Sequence, residues 1–174
     1  MRIGCMLSLI LCAGAAQADI SVKFEESFPV DRFVFRNVGS CSTGAVALSI
    51  ELATANGKLL FDTEGTGPGV ERFAGFAAIE NAARVVGRPF VADGSTKAAV
   101  VLSDLAPGDV FSFSIDIDDQ EVNGALGQTQ ISRSELQGAE VMLFRADGSE
   151  AVSAFGETPD ALLVYDFCAH LRSG

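Results

Sequence analysis

The stretch from Phe111 to Glu121, FSFSIDIDDQE, alternates apolar and polar residues with a period of two. In an extended strand this places Phe111, Phe113, Ile115 and Ile117 on one face and Ser112, Ser114, Asp116 and Asp118 on the other. A slip of one residue in its pairing would bury the serines and aspartates, so the segment is committed to a sheet with one fixed face inward. The same period recurs in AVALSIEL, where Val46, Leu48, Ile50 and Leu52 oppose Ala45, Ala47, Ser49 and Glu51. A chain with two such segments must fold around a half-buried sheet.

The rest of the chain repeats short apolar runs between turn residues. SVKFEESF and RFVFRNV read as strands on either side of Pro29, and Asn56-Gly57 is a strong hairpin signal between AVALSIEL and KLLFD. KAAVVLSDL leads into APGD, where Pro107 and Gly108 suit the central positions of a type II turn. AEVMLFRADGSEAVSAF reads as a hairpin turning at Asp147-Gly148, and ALLVYDF as a closing strand. In residues 76–87, Ile79, Ala82, Ala83 and Val86 have helical spacing, but the surrounding pattern favours a strand or an irregular crossover. About eight or nine strands of this kind predict an all-β antiparallel sandwich, immunoglobulin-like, with a jelly roll as the alternative. The absence of Trp excludes an antibody-type Cys…Trp…Cys core.

The first 18 residues predict export. Arg2 precedes an apolar run from Ile3 to Ala13, and Ala16-Gln17-Ala18 supplies the small-x-small pattern cut by signal peptidases. The run is shorter than the about 20 residues of a membrane-crossing helix. Cleavage after Ala18 starts the mature domain at Asp19 and leaves it without a transmembrane segment, in the periplasm or outside the cell. A lipid-bearing Cys12 is the weaker alternative, because Leu11 stands where a small residue is expected. Loss of the leader removes Cys5 and Cys12. Cys41 and Cys168 then form the simplest disulfide of an oxidising compartment, with two buried free thiols as the alternative.

The chain has 12 basic against 23 acidic residues and a formal charge of −11, which becomes one unit more negative without Arg2. This argues against nucleic acid and anionic membranes as partners, because both require clustered Lys and Arg. A cation, a basic surface or a neutral sugar fits the charge; solubility alone also accounts for it.

Three readings compete for the acidic end of FSFSIDIDDQE. Asp116, Asp118 and Asp119 are candidate calcium ligands, since calcium takes six to eight oxygen ligands, and the loop holding Asp62 and Glu64 can add more. They do not form an EF-hand, whose glycine and terminal Glu are missing. The second reading is a solvated strand face guarded by charge. The third is a glycosidase pair, for which carboxylates roughly 5 to 9 Å apart are required. Tyr165 is the single Tyr, so sugar-stacking aromatics are scarce. His170, the only histidine, lies near the C-terminus and cannot build a histidine-rich metal site. GTGPG, Gly65 to Gly69, lacks the Lys-Ser/Thr ending of a phosphate loop and reads as an inter-strand loop able to offer carbonyl oxygens.

FPVDRFVFRNVGSC, LLFDTEGTGPGVERFAGF, LSDLAPGDVFSFSIDIDD and ISRSELQGAEV together resemble exported alphaproteobacterial proteins labelled aggregation factor core proteins. The resemblance implies a secreted β-sandwich with an adhesion or aggregation role, and carries any cation dependence onto Asp116, Asp118 and Asp119. The function expected is therefore a non-enzymatic binding or self-associating module engaging a protein or cell-surface partner, assisted by calcium. A carbohydrate-active enzyme and an envelope protein without a small ligand are the alternatives.

Overall fold

The computed structural model describes residues 18–27, 30–70, 72–121, 126–165 and 168. The leader up to Gln17, with Cys5 and Cys12, lies outside the described residues, as do Pro29 and His170.

Twelve strands are found among the described residues. In chain order they are β1 (Ala18–Glu25), β2 (Asp31–Asn37), β3 (Val46–Glu51), β4 (Leu59–Phe61), β5 (Ala77–Glu80), β6 (Phe90–Val91) and β7 (Lys97–Leu102). β8 (Val110–Ile115) and β9 (Ile117–Asp119) follow, then a short helix α1 (Arg133–Leu136), and then β10 (Glu140–Arg145), β11 (Glu150–Ala154) and β12 (Asp160–Tyr165). One five-stranded sheet has the order β12-β1-β2-β8-β5, a second has β11-β10-β3-β7-β6, and β4 pairs with β9 in a separate ribbon. All of these pairings are antiparallel. The result is an all-β antiparallel sandwich, as the alternation requires.

The inward faces of the two sheets meet in one apolar core. Ile20, Phe33, Phe35, Phe111 and Phe113 come from the first sheet; Leu48, Ile50, Val100, Val141 and Leu143 come from the second. With no Trp in the chain, the aromatic share of the core is phenylalanine. Phe24, Phe33, Phe35, Phe76, Phe111, Phe113 and Phe155 form a linked set with neighbouring ring centroids 4.5 to 6.4 Å apart. Such tilted and offset pairs add about 0.5–1.5 kcal/mol each beyond the area they bury.

Several local expectations hold. β10 and β11 form the hairpin at Asp147-Gly148, and β12 closes the first sheet against β1. Gly108 has φ +83°, and Asp109 N–H donates to the Ala106 carbonyl at 2.9 Å, as a type II turn demands. Residues 76–87 resolve into β5, a single 3-10 turn at Ala82–Arg84 and a crossover. A disulfide joins Cys41, after β2, to Cys168, after β12, across 127 residues.

Two expectations do not hold. Asn56-Gly57 makes no hairpin between β3 and β4, because β3 lies between β10 and β7 while β4 pairs with β9. The N–H groups of Asn56 and Gly57 instead donate to the carbonyls of Gln137 and Glu135, which ties the turn to α1. The second concerns FSFSIDIDDQE. It is broken at Asp116, between β8 in the first sheet and β9 in the ribbon. Asp116 N–H donates to the Ala74 carbonyl, and the Asp116 carbonyl accepts from Asp62 N–H, so a neighbouring loop captures the backbone at that point.

Candidate cation site

The break at Asp116 creates the site. Asp62 follows β4, Asp118 lies on β9 opposite Leu60, and Asp116 stands at the junction of β8 and β9. The ribbon therefore brings residues more than 50 positions apart into one group. One carboxylate oxygen from each of Asp62, Asp116 and Asp118 lies within 4.8 Å of the others. The side chains are buried, with 1 %, 5 % and 2 % of their residue surfaces exposed. The reading of a solvated strand face is thereby overturned, because residues 62–70 and 72–75 fold over the face that alternation left polar.

Burial of like charges is costly unless they are paired. Among the described residues no Lys or Arg forms an ion pair with any of the three. Asp118 Oδ2 accepts from Val70 N–H at 2.7 Å. Asp118 Oδ1, Asp116 Oδ2 and both carboxylate oxygens of Asp62 are buried with no hydrogen-bond partner. Asp62 faces the carboxylates of Asp118 and Asp93, and such contacts bond only through a shared proton. Burial, followed by the proximity of Asp118, pushes the Asp62 carboxyl up to about 7. Burial and then the charges of Asp118 and Asp62 push Asp116 up to about 7 as well. Burial raises Asp118, against the opposing bond from Val70.

Two further carboxylates frame the group. Asp93, after β6, accepts from Thr63 N–H at 2.8 Å and Glu64 N–H at 2.9 Å, and these bonds hold its carboxyl below the usual range. Asp31, at the start of β2, is pushed up to about 8, first by burial; the Ser27 N–H opposes this and the nearby Asp116 adds to it. The glycine-rich loop closes the site from above. A Cβ on Gly69 would overlap the Asp62 carboxylate, and one on Gly67 would overlap that of Asp93. GTGPG is thus a lid of bare backbone against carboxylates, which side chains at these two positions would push away.

Of the residues singled out from sequence, Asp116 and Asp118 come together and Asp119 does not join them. Adjacent residues on a strand point to opposite faces, and Asp119 Oδ1 instead accepts from Glu121 N–H at 2.8 Å. Asp62 takes the third place, while Glu64 is exposed. Asp93 and Asp31 carried no sequence signal beyond their charge. A hollow of about 930 Å³, lined by residues such as Phe24, Leu126, Ile131 and Arg133, lies elsewhere and has none of the three carboxylates in its lining.

Three carboxylates within this radius suit a hard cation. Opposite ligands of a calcium ion, each about 2.4 Å from it, are roughly 5 Å apart, so one ion can touch all three. Loop carbonyls and water would complete its six to eight ligands. No protein-family model matches the chain, and no curated protein does. No helix among the described residues is long and apolar enough to cross a membrane.

Proposed function

We propose that this protein is an exported, non-enzymatic binding module of the adhesion or aggregation kind, in which calcium held by Asp62, Asp116 and Asp118 fastens the loop of residues 62–70 to the sandwich. The observation that carries the reading is Asp62, buried to 1 % exposure with neither carboxylate oxygen bonded to a donor. A cation supplies the missing partner and removes the repulsion among the three acids. The pattern of the first 18 residues and the Cys41–Cys168 disulfide support export. The resemblance to aggregation factor core proteins supports the adhesive role.

Thermal unfolding of the chain from Asp19 onward, in calcium and in chelator, tests the site. A ligand at 100 times its dissociation constant stabilises the folded form by about 2.7 kcal/mol, which moves the midpoint by several degrees. Asp62→Asn removes one of the crowded charges, so it is expected to stabilise the chelated protein while abolishing the calcium response. Equal midpoints with and without calcium for the unsubstituted protein would remove the cation from the proposal.

A further inference from the structure

The two sheets present unlike outer faces. On the first sheet Lys23, Arg32, Arg36, Ser112 and Ser114 point outward, and Arg32 pairs with Glu80 at 2.6 Å. Its large exposed apolar side chains lie on the edge strands, Leu162 and Val164 on β12 and Ile79 on β5. The outer face of the second sheet is apolar along two cross-strand rows. In register across all five strands, the first row reads Val152, Met142, Ser49, Ala99 and Phe90. The second begins at the exposed Glu150 on the sheet's edge and then reads Phe144, Ala47 and Val101, continued by Val86, whose N–H donates to the Val101 carbonyl. Phe90 is 65 % exposed, Val152 53 %, Val86 51 % and Val101 43 %. An apolar patch on the order of a few hundred Å² is the size of the largest patch on a typical monomer, which is often functional.

The relief of the face indicates what covers it. Met142 and Phe144 are the large side chains of β10, and Ala47, Ser49 and Ala99 beside them on β3 and β7 are small, with Ser49 only 3 % exposed. β3 is the middle strand. A two-fold axis lying between two such faces, parallel to β3, places β10 of one copy over β7 of the other. Met142 then meets Ala99 of the second copy, Phe144 meets Val101, and Val152 meets Phe90. Met142 over Ala99, made twice by the axis, sets a large side chain on a small one, and the Phe144–Val101 and Val152–Phe90 pairs bring apolar side chains together, as suits an isologous contact between sheets about 10 Å apart. An axis across the strands would instead set β10 on β10.

Charge follows the same operation. The next row reads Ala154, Glu140, Glu51 and Lys97. The axis along β3 places Lys97 over Glu140 of the second copy, twice in the pair. Glu51 faces its own copy at the rim, where solvent screens it. We propose that two copies of this chain pair face to face through the outer surface of the β11-β10-β3-β7-β6 sheet. The apolar part falls short of the roughly 800 Å² per partner of a long-lived complex, so the pair is reversible and concentration-dependent.

None of the five strands carries one of the three clustered carboxylates. Two links run to the site: β6 carries Phe90 and is followed by Asp93, the residue that anchors the loop at Thr63 and Glu64, and Ser95, just before β7, bridges to Phe61 beside Asp62. Sedimentation velocity of the chain from Asp19 onward, across the micromolar range at moderate salt, is the test, run in calcium and in chelator. Dimer formation is expected, lost in Val101→Glu and retained in Leu162→Glu, an exposed position on the other sheet. Lys97→Glu should weaken pairing at least several-fold, and Lys97→Glu combined with Glu140→Lys should restore it. Circular dichroism checks that each variant remains folded. A protein monomeric in both buffers, or a dimer indifferent to Val101→Glu and to the charge swap, overturns the inference and leaves the thermal test of the cation site untouched. Equal pairing in both buffers retains the face and removes calcium from the association.

Discussion

At the scale of single residues, the acids around Asp62 make stability depend on pH in an unusual direction. Asp62, Asp116 and Asp31 carry carboxyls raised to about 7, about 7 and about 8, against an ordinary 3.8 in the unfolded chain. Between these limits the folded protein holds protons that the unfolded chain has released, so its stability falls as pH rises. Asp93, shifted downward, acts in the opposite sense, but its contribution is complete above its ordinary 3.8. In chelator, the unfolding midpoint is therefore expected to drop between about pH 4 and pH 8, and calcium should flatten that slope by replacing the protons. A midpoint that climbs through the same window in chelator would contradict the assignment. Alternation made Asp116 and Asp118 legible from sequence, because a shared strand face is a local property. Asp62 was legible only as one of two acids in a loop able to add ligands, and Asp93 not at all, because their proximity to the strand arises from pairing between segments far apart in the chain.

Among the elements, strands with a clean period of two were readable, and the failures occur where tertiary bonds outweigh a local signal. Asn56-Gly57 has the composition of a hairpin, yet its N–H groups are taken by residues 135 and 137. The helix that takes them was not read from the sequence, although its cap residues stand there. Ser132 and Glu135 form a capping box, with Glu135 N–H donating to Ser132 Oγ and Ser132 N–H donating to Glu135 Oε2 at 2.7 Å. Four residues are too few for a hydrophobic period to reveal, so only the cap announces this helix. Ser132→Ala is expected to lower stability by about 1 kcal/mol. Urea unfolding should show a reduced midpoint with an unchanged slope.

Over the whole molecule, the Cys41–Cys168 bond and the β1–β12 pairing join the two ends of the described chain at one edge of the first sheet. Closing a 127-residue loop removes about 5 kcal/mol of chain entropy from the unfolded state on the entropic account. Cys41→Ser is therefore expected to lower the thermal midpoint by ten degrees or more in order of magnitude. An unchanged midpoint would show that the strand pairing alone holds the ends. The same arrangement dictates an order of events. As a chain emerges from its N-terminus, β1 waits with one edge bare until residues 160–165 are released, and Cys41 waits longer still. Until then the sandwich lacks a border strand, and the open row of backbone groups beside Ile20 and Val22 is a template for any extended neighbour. This fold is completed by its final segment, so premature termination or slow release near residue 160 exposes the edge of a sheet that is otherwise assembled.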